Sequence, residues 1–193
     1  MGTSESLRTT VEAAAAGSRV VAGVIERHDG LRYLAPVRAS AFLGLLRVGD
    51  LLDQRLNAEL EARHGLSLRS FEVLLFLAVF APDSRLRMSE LTKEAPLSQS
   101  RVSRLVADLE ARGLVKRTPA DTDGRGVTVA ITPDGLEKFK AAQETHLDDL
   151  DRWLFSQLTD EDTERLVDIT RRLLNRLSEI SPGDQAAHRD KAN

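Results

Sequence analysis

Seven residues, Ser98 to Arg104, carry three serines, one glutamine and two arginines around a single valine. Those side-chain types suit nucleic acid. Arginine and glutamine can each bond two atoms of one base edge, and serine hydroxyls fit close to phosphate oxygens. The same types also make an ordinary solvated helix face, so their meaning depends on the elements that hold them. The stretch runs on as SQSRVSRLVADLEARGLVKR to Arg117.

Other chemistries find little support. The 193 residues include no cysteine, which removes disulfides, thiolate metal sites and thiol-based redox sensing. His28, His64, His146 and His188 show no metal-ligand spacing, so no metal and no cofactor are expected, and each histidine reads as solvent-facing. There is no phosphate loop, no Ser–His–acid or Cys–His set, and no carboxylate pair with a pocket signal, so an enzyme is not expected. Asp148-Asp149 and the Asp160–Asp162 run read as solvated helix faces or a cap on a helix dipole. Apolar residues are 41% and charged residues 30% of the chain, the balance of a globular protein. No run approaches the roughly 18 apolar residues of a membrane span. Glu5, Arg8 and Glu12 interrupt any secretory signal core, so the cytoplasm is the expected location.

The net charge of −3 hides an asymmetry. Ser84 to Gly126 holds nine Lys/Arg against six Asp/Glu, whereas Asp134 to Glu179 holds seven against twelve. A basic middle before an acidic C-terminal stretch points to one nucleic-acid face.

The elements that must position Ser98–Arg104 are well signposted. Ser98 is an N-cap, with Leu97 and Val102 at the positions of a hydrophobic staple. Val102, Leu105, Val106 and Leu109 share one helical face. Gly113 suits a left-handed ending, and Leu114 beyond it can touch Leu109 as in a Schellman motif. A short helix over about Ser89–Glu94, closed by Pro96, comes before. Strands over Leu114–Thr118 and Val127–Ile131 come after, joined by the polar turn Pro119–Gly126. Two short helices, a tight turn and a hairpin make a winged helix-turn-helix, whose second helix enters the major groove of DNA.

Longer helices flank this unit. Phe42, Leu45, Leu46, Leu52, Leu56 and Leu60 form a stripe from about Val37 to His64. Ser67 caps a helix from Leu68 to about Phe80, apolar nearly all round and expected to be buried. Thr132 and Pro133 start a helix expected to reach about Leu158, and Thr159 caps a last one to about Ile180. The Ala-rich piece Val11–Arg27 reads as a helix weakened by Gly17 and Gly23. The fold class is therefore mainly α with a small β-hairpin wing. Residues 1–36 form an N-terminal extension, 37–66 and 133–180 a helical dimerisation region, 67–132 the winged helix-turn-helix, and 181–193 a flexible tail. Leu166, Ile169, Leu173 and Leu177 on the last helix, and Trp153, Leu154 and Leu158 before it, are stripes that a monomer would expose, so a homodimer is expected.

The run from Met88-Ser-Glu-Leu through SQSRVSRLVADLEARGLVKR to DTDGRGVTVAITPDG resembles the multiple-antibiotic-resistance regulator (MarR) family. Its most specific feature is Asp123-x-Arg125 followed by a strand and Ile131-Thr-Pro-Asp-Gly135. The resemblance implies a two-fold dimer whose N- and C-terminal helices interlock, with a recognition helix and wing from each chain on a near-palindromic double-stranded DNA operator. It implies DNA contacts from Ser98, Gln99, Ser100, Arg101, Ser103 and Arg104. It also implies that Arg125 reaches the minor groove beside Asp123. Lys116 and Arg117 are candidates to neighbour phosphates, the alternative being that they are strand charges next to a wing that are simply solvated. Two departures stand out. Pro96 occupies the inter-helix turn, and residues 1–36 exceed the usual family length. The extension has no tryptophan, so the urate site of some members is not carried over.

The resemblance further implies a small aromatic or phenolic anion as effector, bound between the dimer helices and the DNA-binding lobe. Arg47, Arg69, Phe71 and Glu72 are the candidates for such a cleft. The expected function is a ligand-responsive repressor. An activator or constitutive DNA binder, and a winged-helix module that meets an acidic protein through Arg101 and Arg104, are the alternatives.

Overall fold

A computed structural model of the chain describes residues 19–21, 23–94, 97–119 and 126–178. The N-terminal piece departs from the expected helix. Strand β1 (Arg19–Val21) pairs antiparallel with β2 (Val24–Glu26), with Val21 opposite Val24, and β3 (Arg32–Leu34) adds to β2. The β-branched residues Val20, Val21, Val24 and Ile25 favour strand, and Gly23 takes φ +79 at the hairpin turn, a conformation it adopts without a Cβ clash. Residues 11–18 of the expected helix lie outside the described residues.

Helix α1 spans Pro36–His64, and only Leu56 and Leu60 on it are buried. Two units divide the chain within it, residues 1–55 and 56–193. Within the second unit, α2 (Leu68–Leu75) starts as expected. The Ser67 hydroxyl accepts the Ser70 N–H at 3.1 Å, and the staple partners Leu66 and Phe71 are both fully buried. The helix then widens into a π-turn over Phe76–Phe80. Its end is not buried as expected: Val79 is 56% and Phe80 66% exposed.

A strand absent from the sequence expectation follows, β4 (Arg85–Arg87), and leads into α3 (Met88–Glu94). Helix α4 (Gln99–Ala111) carries the stretch of interest. Strands β5 (Val115–Pro119) and β6 (Val127–Ile131) form the wing, and the sheet order is β4-β6-β5, all antiparallel. One core serves all of these elements: Leu60, Phe71, Leu74, Leu77, Leu91, Val102, Val106, Leu109 and Val129 are each fully buried.

Helix α5 (Pro133–Trp153) begins with the Thr132 hydroxyl accepting the Gly135 N–H at 2.9 Å. It stops short of Leu158 because Leu154 leaves helical geometry at φ −127, ψ −68, and a 3-10 turn over Phe155–Gln157 follows. No glycine or proline marks this break. Thr159 then opens α6 (Asp160–Ser178) with a reciprocal cap, its hydroxyl accepting the Asp162 N–H and the Asp162 carboxylate accepting the Thr159 N–H, both at 3.1 Å. The acidic run is thus a helix cap. No residue of α6 is buried within this chain.

Two polar groups on α5 correct the solvent-facing reading. Asp149 is only 3% exposed, and its Oδ2 has no hydrogen-bond partner among the described residues. The His146 ring lies 4.6 Å from that of Phe71, and its Nδ1 is likewise buried without a partner there. Burial holds the His146 pKa below the ordinary 6.5, against the opposing pull of Asp149 and Glu72. His64, whose Nε2 lies 2.8 Å from the Thr145 hydroxyl, is lowered by burial and by Lys138 and Arg63. A folded pKa below the unfolded one favours the neutral ring, so this contribution is complete above the unfolded value and is lost as pH falls through it towards the folded one. The melting temperature is therefore expected to be lower at pH 5 than at pH 7.5. His146→Leu should flatten part of that dependence, and equal slopes for both proteins would refute the assignment.

Candidate nucleic-acid interface

Helix α4 is held from one side only. Val102, Val106 and Leu109 are fully buried, and Leu105 packs against the same core. The opposite face leaves Ser98, Gln99, Ser100, Arg101, Ser103 and Arg104 all exposed. Ser98 has the extended backbone of an N-cap, φ −66 and ψ 150, yet its side chain makes no capping bond. Its hydroxyl instead meets that of Ser100 at 3.2 Å. The first turn thus presents hydroxyls and the positive end of the helix outward, the arrangement that suits phosphate. Ala95 and Pro96, in the turn before α4, lie outside the described residues.

The C-terminal end fixes where the wing leaves. Gly113, at φ +74, donates to the Glu110 carbonyl, and Leu114 donates to the Leu109 carbonyl, both at 2.9 Å. These are the two bonds of a Schellman motif. A second tie joins the same two elements. Glu110 on α4 accepts the backbone N–H of Arg117 at 2.9 Å and its Nε–H at 2.6 Å. The Arg117 side-chain and backbone bonds hold the Glu110 carboxyl below the usual carboxylate range. Arg117, expected near phosphate, is therefore engaged within the chain. Lys116 beside it is exposed, while Asp123 and Arg125 lie outside the described residues.

An open groove of about 460 Å³ is lined by Gln99 and Ser103 of α4, by Arg117 and Val127 of the wing, and by Arg87 and Ser89. Arg87 and Ser89 were not expected here. Arg-Leu-Arg is too short to read as a strand, and only its pairing with β6, Arg87 opposite Thr128, brings Arg87 to the groove. A hydroxyl-bearing concavity beside an exposed helix N-terminus that carries Arg101 and Arg104 can grip a phosphate backbone and admit side chains to base edges.

Comparison with known proteins agrees with this geometry. The MarR family model matches residues 64–126. Sco3205, a MarR family transcriptional regulator from Streptomyces coelicolor solved in complex with DNA, is 31% identical with a TM-score of 0.72, over 78% of this chain and 93% of that one. This chain belongs to the MarR family.

AbsC, another MarR family regulator from Streptomyces coelicolor, gives a TM-score of 0.73 at 27% identity, over 78% of this chain and 100% of that one. The transcriptional repressor MprA of Escherichia coli K12 is 29% identical over 110 residues, 55% of this chain. The chain spans 62% of that protein's length. Members of the MarR family are transcriptional regulators rather than enzymes. Among the described residues, no helix is long and apolar enough to cross a membrane.

The four residues expected at an effector cleft are differently disposed. Arg69 Nη1 donates to both carboxylate oxygens of Glu72, at 2.7 and 2.9 Å. Phe71 between them is fully buried, its ring 5.5 Å from that of Phe139. Replacing it with alanine would cost about 3–5 kcal/mol of stability. Arg47 is exposed on the N-terminal half of α1. Glu72 already balances the charge of Arg69, so that pair offers an anion little net attraction.

Proposed function

We propose that this chain is a homodimeric transcriptional repressor that binds a palindromic DNA operator and releases it when a small molecule binds. The observation that carries the DNA reading is the exposed face Ser98–Arg104, with Arg101 and Arg104, on a helix clamped by its other face beside an open groove. The MarR regulator Sco3205, solved with DNA, supports it by likeness. Arg101 and Arg104 act on bases and phosphates with Gln99, Ser98, Ser100 and Ser103, Lys116 adds a phosphate contact, and Arg125 beside Asp123 enters the minor groove from the wing. Exposed apolar surface supports dimerisation: Leu45 and Leu46 on α1, and Ile169, Leu173, Leu174 and Leu177 on α6, are each 44–66% exposed in the single chain. Monomeric proteins rarely leave such stripes open.

DNA sequences recovered on the purified protein should share an inverted repeat, and affinity for it should fall steeply and linearly on a log–log salt plot. Equal affinity for unrelated sequences would sink the operator reading. Sedimentation should give twice the chain mass, with Leu173→Asp shifting it towards one chain.

The Glu110–Arg117 tie yields a further expected result. If it sets the wing angle, Glu110→Ala and Arg117→Ala each weaken operator binding by about tenfold, and the double variant falls no further. If Arg117 instead spends its charge on phosphate, Arg117→Ala lowers the salt slope by about one and Glu110→Ala does not weaken binding. Titrations at three salt concentrations separate the two.

A further inference from the structure

A second groove, of about 510 Å³, lies on the other side of β4 from the one described above. Phe76, Phe80, Leu86 and Glu90 line it. The two phenyl rings stand 6.0 Å apart at 48°, on the π-turn that ends α2. π-turns are rare in helices and recur at functional sites. Phe80 is two-thirds exposed, at 66%, an unusual placement for so large an apolar side chain. The turn that follows is strained: Asp83 and Ser84 take φ 52 and 56, the left-handed region that non-glycine residues avoid. That turn delivers β4, and strand alternation sends Leu86 into the groove while Arg87 on the next position lines the opposite one. Arg85 is tied to Asp83 at 3.7 Å.

Among the described residues that line the groove, Glu90 is the one charged group. Its Oε2 accepts the Arg87 backbone N–H at 2.8 Å, which pins the carboxylate at the rim. Aromatic faces attract cations through their quadrupole, the carboxylate adds a full negative charge, and apolar walls select against well-hydrated ions. We infer that this groove is a binding site for a hydrophobic organic monocation, such as an aryl-substituted ammonium or phosphonium. A site of this size suits a ligand of several rings. An occupant wedged between Phe80 and Leu86 displaces β4, whose other face carries Arg87, and α3, which precedes the recognition helix. Its action as the effector rests on the regulator reading above, whereas occupancy of the groove does not.

The test is calorimetric titration of the full chain with tetraphenylphosphonium and with tetraphenylborate, which share shape and hydrophobicity but differ in sign of charge. Saturable phosphonium binding at one per chain is expected, with no saturable binding of the borate. Phe80→Ala should weaken the phosphonium about tenfold through lost apolar contact. Glu90→Gln, which keeps an acceptor for the Arg87 N–H, should weaken it about fivefold. No phosphonium binding, borate binding of equal strength, or phosphonium binding unchanged in both variants overturns the site. Operator titration is read separately. Phosphonium binding without loss of operator affinity overturns the effector role alone, and failure to bind DNA at all overturns the regulator reading while the calorimetric result stands.

Discussion

Gly135→Ala is expected to destabilise the protein by roughly 3–5 kcal/mol, since overpacking against fixed backbone belongs to the severe class of substitutions. Gly135 is buried in the first turn of α5. A Cβ built there would lie 1.9 Å from the Leu114 carbonyl oxygen, 2.8 Å from its carbon and 3.0 Å from Ile131 Cγ1. The carbonyl cannot swing aside cheaply. It accepts the Thr132 N–H at 3.1 Å, the Thr132 hydroxyl donates to the adjacent Gly113 carbonyl at 2.7 Å, and the Leu114 N–H closes the Schellman ending of α4. One methyl group therefore forces α5 away from the base of the wing. The melting temperature should fall by roughly 10 °C or more. Gly113→Ala is the useful contrast, because nothing lies within 4 Å of a Cβ there but φ is +74; its cost is the left-handed strain alone, about 1–2 kcal/mol. A melt of Gly135→Ala indistinguishable from wild type would show that the Thr132–Gly135 turn is not clamped as described.

The largest effect on function is expected from Arg101→Ala/Arg104→Ala. Each good bidentate base contact is worth about 1–3 kcal/mol, so losing both should weaken operator binding by roughly a hundredfold or more. The salt slope should also drop by about 0.9 for each phosphate contact removed. Both side chains are exposed, while Val102, Val106 and Leu109 hold the other face of the helix. Thermal stability should therefore stay unchanged, which separates loss of contact from loss of fold. Operator affinity equal to wild type in the double variant would remove the recognition helix from the reading.

The sequence by itself determined the features whose partners lie within a few residues. Ser67 and Thr132 cap their helices through N–H groups three positions on, and Gly113 with Leu114 closes α4 onto Glu110 and Leu109. Strand β6 is Val127–Ile131 as expected of the return strand of a hairpin. The exposed face Ser98–Arg104 follows from the apolar stripe Val102, Leu105, Val106 and Leu109 on the other side of the same helix. Tertiary structure alone decided whatever depends on a distant surface. Residues 85–87 become a strand only because β6, some forty positions later, offers its edge. Residues 19–26 become a hairpin because β-branched pairs across a turn outweigh the helical propensity of alanine-rich sequence. His146 and Asp149 looked like solvated helix residues because period and composition cannot say that α5 lays them inward, the ring of His146 against Phe71. The pairing of Arg117 with Glu110 is invisible in the sequence, because only the turn at Gly113 brings the two together. Gly135 stood out in the sequence as a motif, but its reason, a carbonyl with no room for a methyl group, exists only where two elements meet. Capping and periodicity are settled within one or two helical turns, whereas burial, ion pairing and close approach are set by which surfaces the chain brings together.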